Sequence, residues 1–272
     1  MADGWKVVHM KIVITAPFAA QQVEEMKGQH EVLFSPQDDS TPLRSEEQLH
    51  SLLAEERAEI FITESDRVTA QVLEGLDDLK LLCVCRTGLN NIDIPACTDH
   101  GVALVNAPGR NAAAVADMVM ALFIDMSRFL FEGEKLLRSG QWDEGIYYRL
   151  RGHELYGNTV ATIGFGAIPK ELAKRISGFG MKMIAYDPYV SAEIMASYGV
   201  EKVTLEEAFS GGDYVTLHLP VTEQTRHMVN RDLLKLMKPS AYFVNAARSA
   251  IVVEEDVLEL LEKHQIAGAA FD

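Results

Sequence analysis

Val160-Ala161-Thr162-Ile163-Gly164-Phe165-Gly166-Ala167-Ile168-Pro169, followed by a helix-forming run over 170–176, is the stretch that decides the fold of this 272-residue chain. An apolar strand runs into a glycine turn and then into a helix. In that geometry the first glycine makes the tight turn and the second lets the backbone come close to a pyrophosphate. The helix N-terminus then offers free N–H groups, here those of Gly166, Ala167 and Ile168 following Gly164. Asp187 follows at the end of the next apolar run, Ile184-Ala185-Tyr186-Asp187-Pro188. About 20 residues on is where a carboxylate takes the adenosine ribose hydroxyls, and a carboxylate there favours NAD over NADP by repelling a 2′-phosphate. The third fingerprint position is Pro169. Proline is tolerated in a first helical turn, because its missing N–H would be unpaired there. Its ring fills space that glycine leaves open, so weakened cofactor affinity is expected.

Outward from this turn, short apolar runs alternate with helix-length amphipathic stretches, the pattern of parallel βαβ units. The N-terminal half gives candidate strands at 11–15, 31–34, 60–63, 81–85 and 103–106, with helices at 45–56 and 69–74. The C-terminal half gives strands at 159–164, 181–186, 214–217, 241–245 and 266–271. The turn signal Asn106-Ala107-Pro108-Gly109 separates a first domain, 1–107, from a second, 108–272. A long helix is expected over 111–137, opened by an Asn111 cap and apolar on most faces, which suits a subunit or domain interface, with a homodimer as the expected assembly. The fold class is therefore α/β with parallel sheets, the second domain being a Rossmann NAD-binding domain.

A formal net charge of −15 argues against nucleic-acid or anionic-membrane partners, while leaving room for a small anionic substrate in a locally positive pocket. The composition, 48% hydrophobic and 24% charged, is that of a globule with a sizeable core. No charge-free apolar segment approaches about 18 residues, so no membrane span is expected. Cys83, Cys85 and Cys97 suggest a reducing, cytoplasmic setting. In a strand Cys83 and Cys85 share a face, yet without further metal ligands they read as buried thiols. Residues 1–9 lack a signal-peptide core and read as an extension ahead of a natural start at Met10.

The chain from about residue 79 to 272 resembles the D-isomer-specific 2-hydroxyacid dehydrogenase family. The resemblance rests on Val105-Asn106-Ala107-Pro108-Gly109 with Asn111, Val115-Ala116-Asp117, the glycine turn, residues 214–222 from Tyr214 to Thr222, and Phe243-Val244-Asn245-Ala246-Ala247-Arg248. It implies a flavodoxin-like substrate domain ahead of the Rossmann NAD-binding domain, and an NAD-dependent interconversion of a small (R)-2-hydroxy acid and its 2-keto acid. Arg248 would be the catalytic guanidinium, which can hold the carboxylate and polarise the carbonyl. Arg86, Thr87, Gly88 and Leu89 would bind the substrate carboxylate, in a loop two residues shorter than the commoner pattern. His218 and Pro220 would line the cofactor cleft, with His218 neither acid nor base. Asn245 and Ala246 would flank the cofactor, and Asp272 would meet the nicotinamide carboxamide. No metal is implied. In the family a glutamate and a histidine that move the substrate proton follow this aspartate, so little turnover is expected of residues 1–272 alone. His153, His227 and His264 read as exposed. The alternative is an inactive NAD(H)-binding sensor or interaction protein of the same fold.

Overall fold

The computed structural model describes residues 9–37 and 42–272, in two compact units, Met1–Arg110 and Asn111–Asp272. The division falls after Arg110 rather than after residue 107, because Ala107 and Gly109 are hydrogen-bonded to Arg86 and Thr87 of the first unit. Residues 1–8 of the expected extension lie outside the described residues.

Unit one contains β1 (Lys11–Ile14), α1 (Ala20–Lys27), β2 (Glu31–Phe34), α2 (Glu46–Glu55), β3 (Ile60–Thr63), α3 (Ala70–Leu73), β4 (Leu81–Val84), α4 (Ile94–Asp99) and β5 (Ala103–Asn106). Every strand pair is parallel, in the order β2-β1-β3-β4-β5. This is the flavodoxin-like winding, whose direction reverses between β1 and β3. The central strands are short and apolar because helices cover both faces. Val13, Phe61, Leu82 and Val84 pack with Leu49, Leu53 and Val72 on one side, and Ile12 and Ile14 occupy the other. Local chemistry fixes the helix starts. Ser45 and Gln48 form a reciprocal capping box on α2, and Asp93 caps α4 with Pro95 in its first turn.

Unit two opens with α5 (Ala112–Arg128), α6 (Leu130–Arg138) and α7 (Ile146–Arg149). It continues through β6 (Thr159–Ile163), α8 (Ala167–Gly178), β7 (Lys182–Tyr186), α9 (Ala192–Ala196), β8 (Glu201–Lys202), α10 (Leu205–Gly211) and β9 (Tyr214–Leu217). Then come α11 (Arg231–Leu234), β10 (Tyr242–Asn245), a 3₁₀ turn Ser249–Ile251, α12 (Glu254–Glu262) and β11 (Gly268–Phe271). The sheet order is β11-β10-β9-β6-β7-β8, all parallel. Counted from β6 this is the 3-2-1-4-5-6 winding of a Rossmann domain, with its reversal between β6 and β9. One core lies under α5 and α8 around Val119, Phe123, Val160, Leu172 and Tyr214; the other holds Ile163, Phe209, Leu217, Phe243 and Leu260.

Three expectations need correction. The helix expected over 111–137 is two helices. Phe129 sits in the left-handed region (φ +56°, ψ +42°), and Asp125 Oδ1 accepts the Phe131 amide at 2.7 Å, capping the second helix at the break. The Asn111 side chain makes no cap bond. Only Cys97 is buried, whereas Cys83 and Cys85 are half-buried because the face they share is the thinner of the two. Smaller differences are strand ends shifted by one or two residues and the two-residue β8, too short to leave a hydropathy pattern.

Candidate active site

The glycine turn is built by β6. Its last residue is followed by Gly164, whose amide donates to Tyr186 O at 2.8 Å and whose φ is +99°. A Cβ on Gly164 would lie 2.6 Å from His218 O, so the loop after β9 occupies the space a side chain would need. Gly166 differs. It is extended (φ −83°, ψ −151°), and a Cβ there would meet nothing within 4 Å, so internal packing does not demand glycine and the backbone faces open space. With glycine before α8 no side chain caps it, and the Ala167 and Ile168 amides of its first turn have no intrahelical partner. Pro169 lies buried within that same turn, where its missing N–H costs no hydrogen bond.

Asp187, just past β7, braces this turn from below. Its Oδ2 accepts the Phe165 amide at 2.9 Å, and its Oδ1 accepts the amides of Tyr189 at 2.8 Å and Val190 at 3.2 Å. Three of roughly four carboxylate lone pairs are thus used by backbone, leaving about one for a sugar hydroxyl. The residue expected to grip a ligand is also a structural fastener of the glycine turn.

His218 follows β9, with its amide donating to Ile163 O at 2.8 Å and its Nε2 3.1 Å from Thr216 Oγ1. Nδ1 is buried without a partner among the described residues. Burial pulls the ring down to a pKa of about 3, so at neutral pH it carries no charge and cannot serve as an acid. Thr162 Oγ1, in register with Thr216 on the neighbouring strand, is likewise buried and unpartnered among the described residues. Pro220 is exposed, with its carbonyl accepting the Thr225 hydroxyl at 2.7 Å.

After β10, Asn245 is 2% exposed and folds the next turn on itself. Its Nδ2 donates to Arg248 O at 3.0 Å, and its Oδ1 accepts the Ala247 amide at 3.0 Å. Ala246 is buried beside it. The Arg248 guanidinium is exposed, its one hydrogen bond among the described residues being from Nη1 to Ala247 O at 2.7 Å. The Asn245 turn projects it outward. Asp272 follows β11, its amide donating to Asn245 O at 3.0 Å and its side chain exposed. Gly164, Asp187, His218, Arg248 and Asp272 therefore follow the ends of five parallel strands at one carboxyl edge, around the β6/β9 reversal.

In unit one, Arg86, Thr87, Gly88 and Leu89 form the loop after β4. The Arg86 carbonyl accepts the Ala107 amide at 3.1 Å, and the Thr87 carbonyl accepts Asn106 Nδ2 at 2.8 Å. Thr87 Oγ1 also accepts the Gly109 amide at 3.3 Å. Arg86 and Thr87 are exposed, and Leu89 packs against the core. Sequence reasoning missed a second group at this edge: Thr15, Thr63 and Asp66, joined by Arg44. The one available signal was a threonine closing each of two apolar strand runs.

His227 and His264 are exposed, with φ of +51° and +52° in turns. His153 is exposed too, yet its ring stacks on Tyr242 with centroids 5.7 Å apart, and its Nε2 lies 3.0 Å from the Tyr214 hydroxyl. Burial lifts that tyrosine to a pKa of about 12, so it stays protonated. Among the described residues no cluster of metal-ligating side chains is present.

Residues 120–272 match the family described as "D-isomer specific 2-hydroxyacid dehydrogenase, NAD binding domain". Over 213 residues the chain is 36% identical to a hydroxypyruvate reductase of Thermotoga maritima, covering 78% of this chain and 68% of that enzyme. It is 35% identical over 265 residues to a D-3-phosphoglycerate dehydrogenase of Methanocaldococcus jannaschii, covering 97% of this chain and spanning 48% of that enzyme's length. Among solved structures, apo D-lactate dehydrogenase of Escherichia coli is similar with a TM-score of 0.78 and 28% identity, covering 97% of this chain and 82% of that one.

Proposed function

The chain belongs to the D-isomer specific 2-hydroxyacid dehydrogenase family, and from that premise we propose how its residues divide the work of an NAD-dependent oxidoreductase acting on a small 2-hydroxy acid. The observation that carries the proposal is the contrast between the two glycines. Gly164 is filled in by His218 O, whereas Gly166 opens onto free space beside uncapped amides of α8. That is a cradle shaped for something outside the chain, and paired phosphates fit it in charge and in hydrogen-bonding.

Bound there, NAD supplies the hydride acceptor. Gly164, Gly166, Ala167 and Ile168 present backbone to the phosphates. Asp187 offers its remaining lone pair to the adenosine ribose and its charge against a 2′-phosphate. His218, Pro220, Asn245, Ala246 and Asp272 shape the wall toward the nicotinamide, His218 as a neutral ring. Arg248, free of any ion pair among the described residues, meets the substrate's carboxylate and carbonyl with its planar fork, which draws charge off the carbonyl. The Arg86–Thr87–Gly88–Leu89 loop supports carboxylate binding in unit one. Three free thiols suit a reducing cytoplasm, and exposed Leu130, Phe131 and Leu137 on α6 suit a homodimer.

Titration calorimetry with NADH tests the cradle, and Arg248→Gln tests the chemistry. The expected results are NADH binding in both proteins and a loss of at least about 100-fold in 2-keto acid affinity in the variant, as for truncating a bidentate charge contact. No heat with millimolar NADH would overturn the reading.

A further inference from the structure

The carboxyl edge of unit one carries a polar cluster that none of these roles uses. Thr15 and Thr63 stand at the ends of the adjacent strands β1 and β3, and both hydroxyls donate to Asp66 Oδ2, at 2.5 and 2.6 Å. The other oxygen of this carboxylate, in a residue 2% exposed, has no hydrogen-bond partner among the described residues. Facing it at 4.0 Å is Arg44 Nη1, also buried and unpartnered among the described residues. Arg44 is held by its other arm, Nη2 donating to Ser35 O at 2.9 Å and Ser35 Oγ at 2.8 Å.

Leaving a buried donor and a buried acceptor each one bond short is costly, so such a pair calls for an explanation. One chemical group completes both. A hydroxyl oxygen about 2.8 Å from each atom would subtend roughly a right angle across the 4.0 Å gap, accepting from Arg44 and donating to Asp66. A second carboxylate would be repelled by Asp66, and an ammonium by Arg44.

The position is also informative. β1 and β3 flank the winding reversal of this sheet, where open α/β folds bind ligands. The loop holding Asp66 is tied to the loop after β4: Asn91 Nδ2 donates to Asp66 O at 2.7 Å, and the Val68 amide to Asn91 O at 2.9 Å. The cluster thus lies one strand, roughly 5 Å, from the strand that carries Thr87–Gly88–Leu89.

We propose that Arg44 and Asp66 form a specificity subsite for a hydroxyl on the tail of the substrate acid, selecting hydroxyl-bearing 2-keto or 2-hydroxy acids over plain ones. The inference rests on the oxidoreductase reading above. A water molecule has the same chemistry as the tail hydroxyl, so the test separates the two. With the full chain saturated by NADH, affinities for hydroxypyruvate, pyruvate and glyoxylate are measured by calorimetry for the wild type, Arg44→Gln and Asp66→Asn. Asp66→Asn retains an oxygen for the two threonines, so it repeats the test without touching Arg44.

The wild type is expected to hold hydroxypyruvate roughly tenfold or more tighter than pyruvate, the scale of one hydrogen bond to a charged group. Either variant removes that preference and leaves glyoxylate, which has no tail, unchanged. Equal binding of hydroxypyruvate and pyruvate by the wild type means the pair holds only water, and the inference falls. A parallel loss for all three acids means the cluster merely positions the neighbouring loop, and it falls again. A chain that does not bind NADH overturns the functional reading as well, which distinguishes the two failures.

Discussion

At Gly164 a single missing carbon links sequence to site. With φ at +99° and His218 O filling the place of a Cβ, Gly164→Ala forces both a strained backbone and a backbone clash. It is expected to destabilise unit two by about 1–3 kcal/mol and to abolish NADH binding, readable as a lower Tm with no calorimetric signal. Gly166→Ala is the internal control, since its Cβ meets nothing. It should leave Tm within about a degree while weakening NADH. His218 carries a different prediction. Its folded pKa near 3 lies below the ordinary 6.5, so under acid the unfolded chain takes up a proton that the folded ring refuses. Stability contributed by the neutral ring is intact above pH 6.5 and is lost progressively as the pH falls toward 3. In His218→Gln the decline of Tm between pH 7 and 4.5 should be shallower than in the wild type; parallel profiles would contradict the burial argument.

Among the elements, the βαβ strands declare themselves through short apolar runs, because parallel strands covered on both faces leave little room for polar residues. The break between α5 and α6 does not. No glycine or proline marks Phe129, and the left-handed turn is held by the Asp125 carboxylate reaching the Phe131 amide. Local periodicity cannot register a bond from a side chain to a backbone group six residues on. Asp125→Ala is accordingly expected to cost about 1 kcal/mol in α6, seen as faster amide exchange over residues 130–138 with α8 unaffected. Asp187 reads from the sequence as a ligand for the sugar, placed after an apolar strand run. That it also fastens Phe165, Tyr189 and Val190 depends on how two loops meet.

At the scale of the whole molecule, α6 carries an uncovered apolar face. None of its residues is buried, yet Leu130, Phe131 and Leu137 are 53%, 70% and 60% exposed, and a nine-residue helix is marginal alone in water. A second copy of the chain covering this face is the proposed remedy. Phe131→Asp should then halve the mass found by light scattering at micromolar concentration while leaving NADH affinity unchanged. A wild-type monomer under those conditions would refute the dimer. By itself the sequence determined the two runs of alternating strands and helices and the place of the glycine turn, because hydropathy period and the demand for glycine are local properties. Tertiary structure alone decided that Arg248 is turned outward by Asn245, that His218 is neutral, and that Thr15, Thr63, Asp66 and Arg44 are brought together. Each depends on groups far apart in the chain, whose burial and hydrogen-bond partners exist only once strands have paired.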